Sequence, residues 1–236
     1  DAAHHQLTQY SMLRTFSFLT FVRVLLGVVA PLWSAAQTSA PSAIDRSARL
    51  DMEHVALDLF FDFSKKQARG TATLTMVLLQ PTRDIALDAG MLTIHSITGP
   101  KSTPLTFEYD GGDKNEGLLI HLDKVYSAQK RLKIQVNYST NWVNATDPAN
   151  LWGSYGKGIR FFEPTITEPR KRRQIWSMGE PESNRYWFPG CDSPNDFHTT
   201  EFTATVAAGL TAISNGRLID THNNADGTRT FHWKMD

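Results

Sequence analysis

Apolar and polar residues alternate along the chain from His54 onward. The segment at 54–63 places an apolar side chain on every second position, at Val55, Leu57, Leu59, Phe61 and Phe63. This period of two is typical of a half-buried β-strand. A polar stretch at 64–70 separates it from a second alternating segment at 71–79. The two segments therefore predict a β-hairpin.

Further short apolar segments predict additional strands at 85–87, 91–97, 106–109, 118–122, 132–138, 201–206, 210–214 and 228–233. Turn-forming pairs separate several of them, among them Asn215-Gly216 and Asp226-Gly227, which tolerate positive φ. No segment after residue 36 keeps a helical apolar stripe for ten residues. The sequence therefore predicts an all-β fold, mostly antiparallel, in two packed sheets.

The first 46 residues have a different composition. A basic stretch from Met12 leads into an apolar run at 24–33 that small residues follow directly, which is the arrangement of a secretory signal peptide. We expect an upstream extension at 1–11, a signal peptide at 12–36, a linker at 37–46 and one β domain at 47–236. The apolar run has about half of the roughly 20 residues that span a bilayer, so we expect no permanent membrane anchor. The expected location is the bacterial periplasm or the outside of the cell.

Charge and cysteine content narrow the classes of partner. The chain has 24 Lys plus Arg and 24 Asp plus Glu, so no net field attracts nucleic acid. The basic run at 170–173 is interpreted as a solvated loop. Cys191 is the single cysteine and cannot form an internal disulfide, so we expect a packed thiol.

Motifs for metal binding or catalysis do not occur in this sequence: it has no His-Glu-x-x-His and no Cys-x-x-Cys. His198 and Glu201 come nearest to a metal pair, but positions three apart on a strand face opposite sides. The glycine-rich stretch at 153–158 lacks phosphate-loop spacing and is interpreted as a flexible loop. We therefore expect no catalytic residue and no metal site in this chain.

One polar segment, WSMGEPESNRYWFPGCDSP at 176–194, combines turn residues, acidic residues and aromatic rings. One interpretation is a surface connection pinned in the core by Trp176, Trp187 and Phe188, with Arg185 paired to Asp192 or Glu182. The other interpretation concerns Glu180, which lies between Gly179 and Pro181. A carboxylate on so stiff a backbone presents a fixed charge at a cleft.

The same segment resembles the N-terminal domain of the aminopeptidase N family of gluzincin zinc enzymes. That family's signature is Thr-Gln-x-Glu, then Ala-Arg, Phe-Pro and Asp-x-Pro. The corresponding stretches here are 177–180, 184–185, 188–189 and 192–194, and the stretches at 211–216 and 227–234 are also similar to the family. The resemblance covers residues 51–236.

The resemblance implies a saddle-like antiparallel β domain beside a separate catalytic domain. It implies that Glu180 binds the free α-ammonium group of a peptide and that Met178 stands where the family's glutamine contacts the first substrate residue. Zinc in such a parent enzyme is bound by the catalytic domain, so the implied partners are peptide N-termini and that domain. Two departures are Met178 and the shift of the family's cysteine to Cys191.

The expected function is therefore a substrate-anchoring domain of an exported zinc aminopeptidase, not catalytic by itself. The absence of a zinc motif and the presence of Met178 leave open an alternative, a noncatalytic β-sandwich that binds a partner after loss of the protease domain.

Overall fold

The computed structural model describes residues 49–111, 117–141, 157–180 and 182–236. The predicted upstream extension, signal peptide and linker lie outside the described residues. Within them, twelve strands and two short 3-10 helices form, which confirms the all-β prediction. The strands are β1 Leu50–Asp62, β2 Gln67–Leu78, β3 Thr82–Asp88, β4 Leu92–Thr98, β5 Pro104–Glu108, β6 Gly117–Tyr126, β7 Arg131–Thr140, β8 Ile159–Phe162, β9 Gln174–Ser177, β10 Thr199–Val206, β11 Arg217–Asn223 and β12 Arg229–Met235. The 3-10 helices are Pro100–Ser102 and Asn184–Tyr186.

Ten of these strands form one hydrogen-bonded sheet in the order β11-β12-β10-β1-β2-β7-β4-β5-β6-β3, and β8 and β9 form a separate two-stranded sheet. The ladders are antiparallel except between β1 and β10, which run parallel with His54 opposite Thr199. The sheet is therefore mixed. A parallel pair needs a long crossover connection, and here the chain between β1 and β10 supplies it with eight intervening strands.

The predicted β1–β2 hairpin forms with a tighter turn than expected, spanning 63–66 between the two strands. Asp62 holds this turn, because its Oδ1 accepts hydrogen bonds from the Ser64 amide (2.9 Å) and hydroxyl (2.6 Å). Gly70 faces Leu59 across the ladder, and a Cβ there would lie 2.0 Å from the Asp58 carbonyl oxygen. Glycine is therefore required at this close approach of two backbones.

The core forms from the alternating positions that the sequence indicates. The core-facing apolar side chains of β1, β2 and β7 are buried, and β3 and β6 add further ones. From β1, β2 and β7 they are Leu57, Leu59, Ala72, Leu74, Met76, Leu132, Ile134 and Val136, and from β3 and β6 they are Ile85, Leu118 and Ile120. Tyr138 is fully buried among them, and its hydroxyl donates to the Trp187 carbonyl oxygen at 2.9 Å. Burial raises the pKa of Tyr138, so the phenol remains neutral and able to donate.

Three details differ from the sequence prediction. The stretch 210–214 is not a strand; the strand forms just after it, as β11. All seven β11 residues are exposed, because this strand lies at the edge of the sheet and its apolar residues Leu218 and Ile219 carry no period-two signal. The four-residue strands β8 and β9 were not predicted. No helix in the described part of the chain is long and apolar enough to span a membrane.

Candidate functional site

The segment that contains Met178 and Glu180 extends directly from the β8–β9 sheet. Ile159 pairs with Ser177, and the Met178 amide continues the ladder by donating to the Gly158 carbonyl oxygen at 2.7 Å. Gly158 has φ of +74°, and a Cβ there would lie 2.6 Å from the Ser183 carbonyl oxygen. This glycine therefore lets β8 pack directly against the loop that follows Glu180. Met178 is half-buried at the end of β9.

Glu180 lies in a tight turn with its side chain exposed. The Ser183 amide donates to the Gly179 carbonyl oxygen at 2.6 Å and closes this turn. A Cβ on Gly179 would lie 2.6 Å from Asn184 Oδ1, which also accepts a hydrogen bond from Trp187 Nε1 at 3.1 Å. The turn is therefore packed against the 3-10 helix that follows it.

A mostly buried ion network holds the segment from Glu182 to Asp192. Arg185 Nε donates to Asp192 Oδ2 at 3.0 Å, and the Arg185 amide donates to the same oxygen at 3.2 Å. The Asp192 amide donates to Asp88 Oδ2 at 3.0 Å, and Arg185 Nη1 lies 3.8 Å from Asp88 Oδ1. Arg185 Nη2 also donates to Glu182 Oε2 at 3.2 Å. The expected pairing of Arg185 is thus confirmed with both Asp192 and Glu182.

Backbone contacts tie this network to the large sheet. Asp88, at the end of β3, exchanges two hydrogen bonds with Gly190, of 2.7 and 3.0 Å. The Gly90 amide donates to the Arg185 carbonyl oxygen at 2.8 Å, and Tyr138 holds the Trp187 carbonyl. Two distant parts of the chain, residues 88–90 and Tyr138, therefore hold the segment that follows Glu180. The Glu180 side chain itself is exposed.

The three aromatic residues of the segment have different environments. Trp187 and Phe188 pack against the core, with ring centroids 4.7 Å apart. Trp176 was also expected in the core, and this was wrong: it is 49% exposed and lies against Phe162. On β9, Trp176 lies beside a cleft of about 530 Å³ whose lining includes Phe61, Phe63, Ile175, Phe202 and Ile213. A cleft with both apolar and polar walls therefore lies next to the strand that leads to Glu180.

His198 and Glu201, which the sequence does not favour as a metal pair, have different partners. His198 Nδ1 lies 3.2 Å from the Asp196 carbonyl oxygen, whereas Glu201 contacts His232 and His54. Over the described ranges no group of three His, Cys, Asp or Glu side chains is arranged to hold a metal ion. Cys191 is half-buried and packs against the core.

Sequence reasoning missed Asp88, Gly90 and Tyr138, the residues that fix the site segment from the sheet. Asp88 is 104 residues from Asp192 and belongs to a strand with an ordinary apolar pattern. The one local signal is that Asp88 is a charged residue directly after three apolar positions of β3, where a buried carboxylate needs a partner.

Known proteins with similar sequences fall into two groups. Leucine aminopeptidase 2 of Sclerotinia sclerotiorum is 22% identical over 177 residues, which are 72% of this chain and 28% of that protein. Transcription initiation factor TFIID subunit 2 of Gallus gallus is 29% identical over 118 residues, 49% of this chain and 9% of that protein. The chain thus spans less than a third of either relative.

A solved structure shares the fold. It is a mutant M1 zinc metallopeptidase from Deinococcus radiodurans bound to a Tyr-Ser-Ala substrate, with a TM-score of 0.62 and 19% identity, covering 79% of this chain and 39% of that one. The family model of the peptidase M1 N-terminal domain matches residues 51–236, nearly all of the β domain described above. The chain therefore belongs to the peptidase M1 N-terminal domain family.

Proposed function

We propose that this domain anchors the free amino terminus of a peptide in an exported zinc aminopeptidase, with Glu180 as the anchoring carboxylate. The observation that carries the proposal is an exposed carboxylate on a loop that a buried ion network and the sheet hold in place. Because the backbone of the loop is already held, only the Glu180 side chain has to be ordered on binding, so more of the interaction energy remains as affinity.

The chemistry of the pair favours a free amine as ligand. An α-ammonium group and a carboxylate form a charge-assisted hydrogen bond, which is about twice as strong as a neutral one. A peptide with an acylated amino terminus lacks the charge and leaves Glu180 unpaired at a closed interface. Because of this contact, the enzyme cleaves at the amino-terminal end of a peptide rather than at an internal bond.

In this proposal, zinc is bound by the catalytic domain, which lies elsewhere in the longer polypeptide. When bound there, it supplies Lewis-acid activation of water and of the scissile carbonyl. The residues of this chain contribute binding and orientation: Glu180 holds the ammonium group, and Met178 lies two residues before it at the end of β9. Peptide substrates and the catalytic domain of the same polypeptide are the proposed partners, and the periplasm or the cell exterior is the proposed location.

Glu180→Gln in the full-length polypeptide tests the anchor. The neutral amide keeps the shape of the side chain and removes its charge, so we expect kcat/KM for free-amine peptides to fall about 10- to 100-fold, the equivalent of about 1.5–3 kcal/mol for a hydrogen bond to a charged group. Activity is measured with an aminoacyl fluorogenic peptide and with its N-acetylated form.

Glu168→Gln is the matched control, because it removes the same charge from an exposed glutamate whose partner is Lys171, outside the network that holds the Glu180 loop. We expect it to change kcat/KM much less. An equal loss in both variants, or no loss in Glu180→Gln, would show that Glu180 does not bind the ammonium group.

Met178→Gln tests the neighbouring position. The substitution restores a hydrogen-bonding amide at a half-buried site, so we expect hydrolysis to be preserved or increased. A large loss of kcat/KM would show that Met178 does not lie beside the first substrate residue.

A second candidate function is a noncatalytic binding module. The observation that favours it is the similarity to TFIID subunit 2 of Gallus gallus and, at 31% identity over 81 residues, of Danio rerio, proteins named for transcription initiation. The transcript downstream of Asp236 separates the two functions. A reading frame that encodes His-Glu-x-x-His and a later glutamate supports the peptidase, and a frame without them supports the module.

A further inference from the structure

A groove of about 720 Å³ lies where the β4–β5 turn meets the end of β6 and the start of β7. On β6, Gly117 pairs with Asp88, which holds the segment after Glu180, whereas Tyr126 at the other end pairs with Thr82. The ten residues of β6 span about 30 Å in extended conformation. The groove is therefore a separate surface from the Glu180 loop.

Basic side chains line this groove from four adjoining parts of the fold. They are Lys101 of the β4–β5 turn, Lys124 of β6, Lys130 of the β6–β7 turn, and Arg131 and Lys133 of β7. Arg131 is paired with Glu53, but none of the four lysines forms an ion pair with any other described residue. Because the whole chain has no net charge, the groove concentrates positive charge on a neutral molecule. An anion that enters it relieves the mutual repulsion of the lysines.

Backbone hydrogen bonds fix the two turns that carry these lysines. In the β4–β5 turn the Gly99 amide donates to the Thr103 carbonyl oxygen at 2.8 Å, and in the β6–β7 turn the Gln129 amide donates to the Leu78 carbonyl oxygen at 2.7 Å. Lys101 and Gln129 have φ of +59° and +61°, which residues other than glycine rarely adopt. The walls of the groove are therefore ordered before a ligand binds, and the flexible lysine side chains adapt to it.

The groove also offers apolar contact. Val125 lies in its wall and is 63% exposed, and Lys124 Nζ lies 5.3 Å from the centroid of the Tyr126 ring. The Tyr126 hydroxyl donates to Asp123 Oδ1 at 2.9 Å, which orients the ring. A ligand that matches these walls carries apolar side chains as well as negative charges.

These features favour an acidic polypeptide over other polyanions. A planar lipid surface does not enter a concave groove, and a phosphate-rich nucleic acid brings no aliphatic side chain to Val125. Each lysine ammonium group is a flexible point charge that pairs with single carboxylates at variable spacing, whereas planar bidentate recognition of phosphate is the strength of arginine.

We propose that this groove binds an acidic polypeptide segment, whose carboxylates contact Lys101, Lys124, Lys130 and Lys133 while one of its apolar side chains packs on Val125. The contact is a docking interaction, independent of the peptide amino terminus that we assign to Glu180. Its strength depends on ionic strength, because exposed charges are screened by salt.

Fluorescence anisotropy with a labelled peptide of Glu, Asp and Leu residues tests the groove. The peptide is N-acetylated, so it has no α-ammonium group to bind Glu180, and a second peptide with Gln and Asn in place of Glu and Asp is the matched ligand. We expect the parent chain to bind the acidic peptide and to bind the neutral one much more weakly. The Kd for the acidic peptide should increase as NaCl is raised from about 50 to about 300 mM.

Lys124→Gln combined with Lys133→Gln should raise this Kd about 3- to 20-fold, the effect of losing two exposed ion pairs. Arg170→Gln combined with Arg172→Gln is the matched control, because it removes the same two charges from the exposed β8–β9 loop, outside the groove. We expect this control to leave the Kd close to that of the parent chain. Val125→Ser changes no charge and should also weaken binding. Equal urea midpoints show that these surface variants fold.

Three results with the peptides would overturn the proposal: a Kd above about 1 mM for the acidic peptide, equal binding of the neutral peptide, or an equal loss in the arginine control. Phosphatidylglycerol vesicles and duplex DNA are separate probes. If either binds the parent chain more tightly than the acidic peptide and loses this affinity in the double lysine variant, the groove serves a membrane or a nucleic acid and the proposal is wrong. Glu180→Gln should bind the acetylated peptide as the parent chain does, so failure of the amine anchor is distinguishable from failure of the groove.

Discussion

Replacing Arg185 with methionine tests whether the buried ion network holds the Glu180 loop. Arg185 is 8% exposed, and its neighbours Asp88 and Asp192 are 2% and 6% exposed. Methionine keeps much of the side-chain length but leaves the two carboxylates without their shared cation. Removing one partner of a buried ion pair typically costs about 3–5 kcal/mol. The free energy of unfolding of a typical domain is about 5–15 kcal/mol, so this variant loses a large share of its stability.

Urea denaturation followed by tryptophan fluorescence measures this loss. With a slope of about 3 kcal/mol/M, the upper range for small proteins, the expected change moves the midpoint down by about 1–1.7 M. The chain has six tryptophans, so this fluorescence follows the unfolding of the domain as a whole.

Arg131→Met is the matched control. Arg131 donates two hydrogen bonds to Glu53, of 2.5 and 2.7 Å, but its side chain is 67% exposed. Solvent screens this pair, so we expect a midpoint close to that of the parent chain. The double variant Arg185→Met with Asp192→Asn should recover part of the lost stability, since it removes one of the uncompensated charges. Equal midpoints for Arg185→Met and Arg131→Met would refute the reasoning.

Two further predictions concern stability. The hydrogen bond that His121 donates to the Asp84 carboxylate, together with a second one to Glu108, raises the pKa of His121. Protonated His121 therefore contributes its full share of the domain's stability below pH 6.5, and this share is lost as pH rises through the folded-state pKa. His121→Gln should therefore destabilise the domain by up to about 1 kcal/mol at pH 5.5 and have little effect at pH 9, as measured by urea denaturation at both values; equal losses would contradict this. Gly158→Ala should lower the melting temperature more than Gly209→Ala, because both glycines have positive φ but, of the two, Gly158 lacks space for a Cβ. The extra cost in unfolding free energy is about 1–3 kcal/mol. Similar melting temperatures for the two variants would show that the contact between β8 and the loop is not tight.

Much of the fold could be predicted because its signals are local. The strands β1, β2 and β7 have strict alternation, and their core-facing residues follow from it. The Glu180 segment was recognised from consecutive residues, and the pairing of Arg185 with Asp192 and Glu182 needs only a few intervening positions. Where the signal is weak, the prediction is wrong: the apolar pattern predicts a strand at 210–214, where none forms, and gives no signal for the exposed strand β11.

The sequence by itself determined the all-β class, the core faces of the long strands and a segment rich in turn and acidic residues, because these depend on side chains within a few positions of one another. Only the tertiary structure decided that β1 pairs in parallel with β10, that Asp88 reaches Asp192 across 104 residues, and that His54, Glu201 and His232 meet. The physical reason is that a strand's pattern specifies which face is buried but not which strand lies beside it. Neighbours are chosen by the packing of the whole sheet, and contacts between charged groups on adjacent strands follow from that choice.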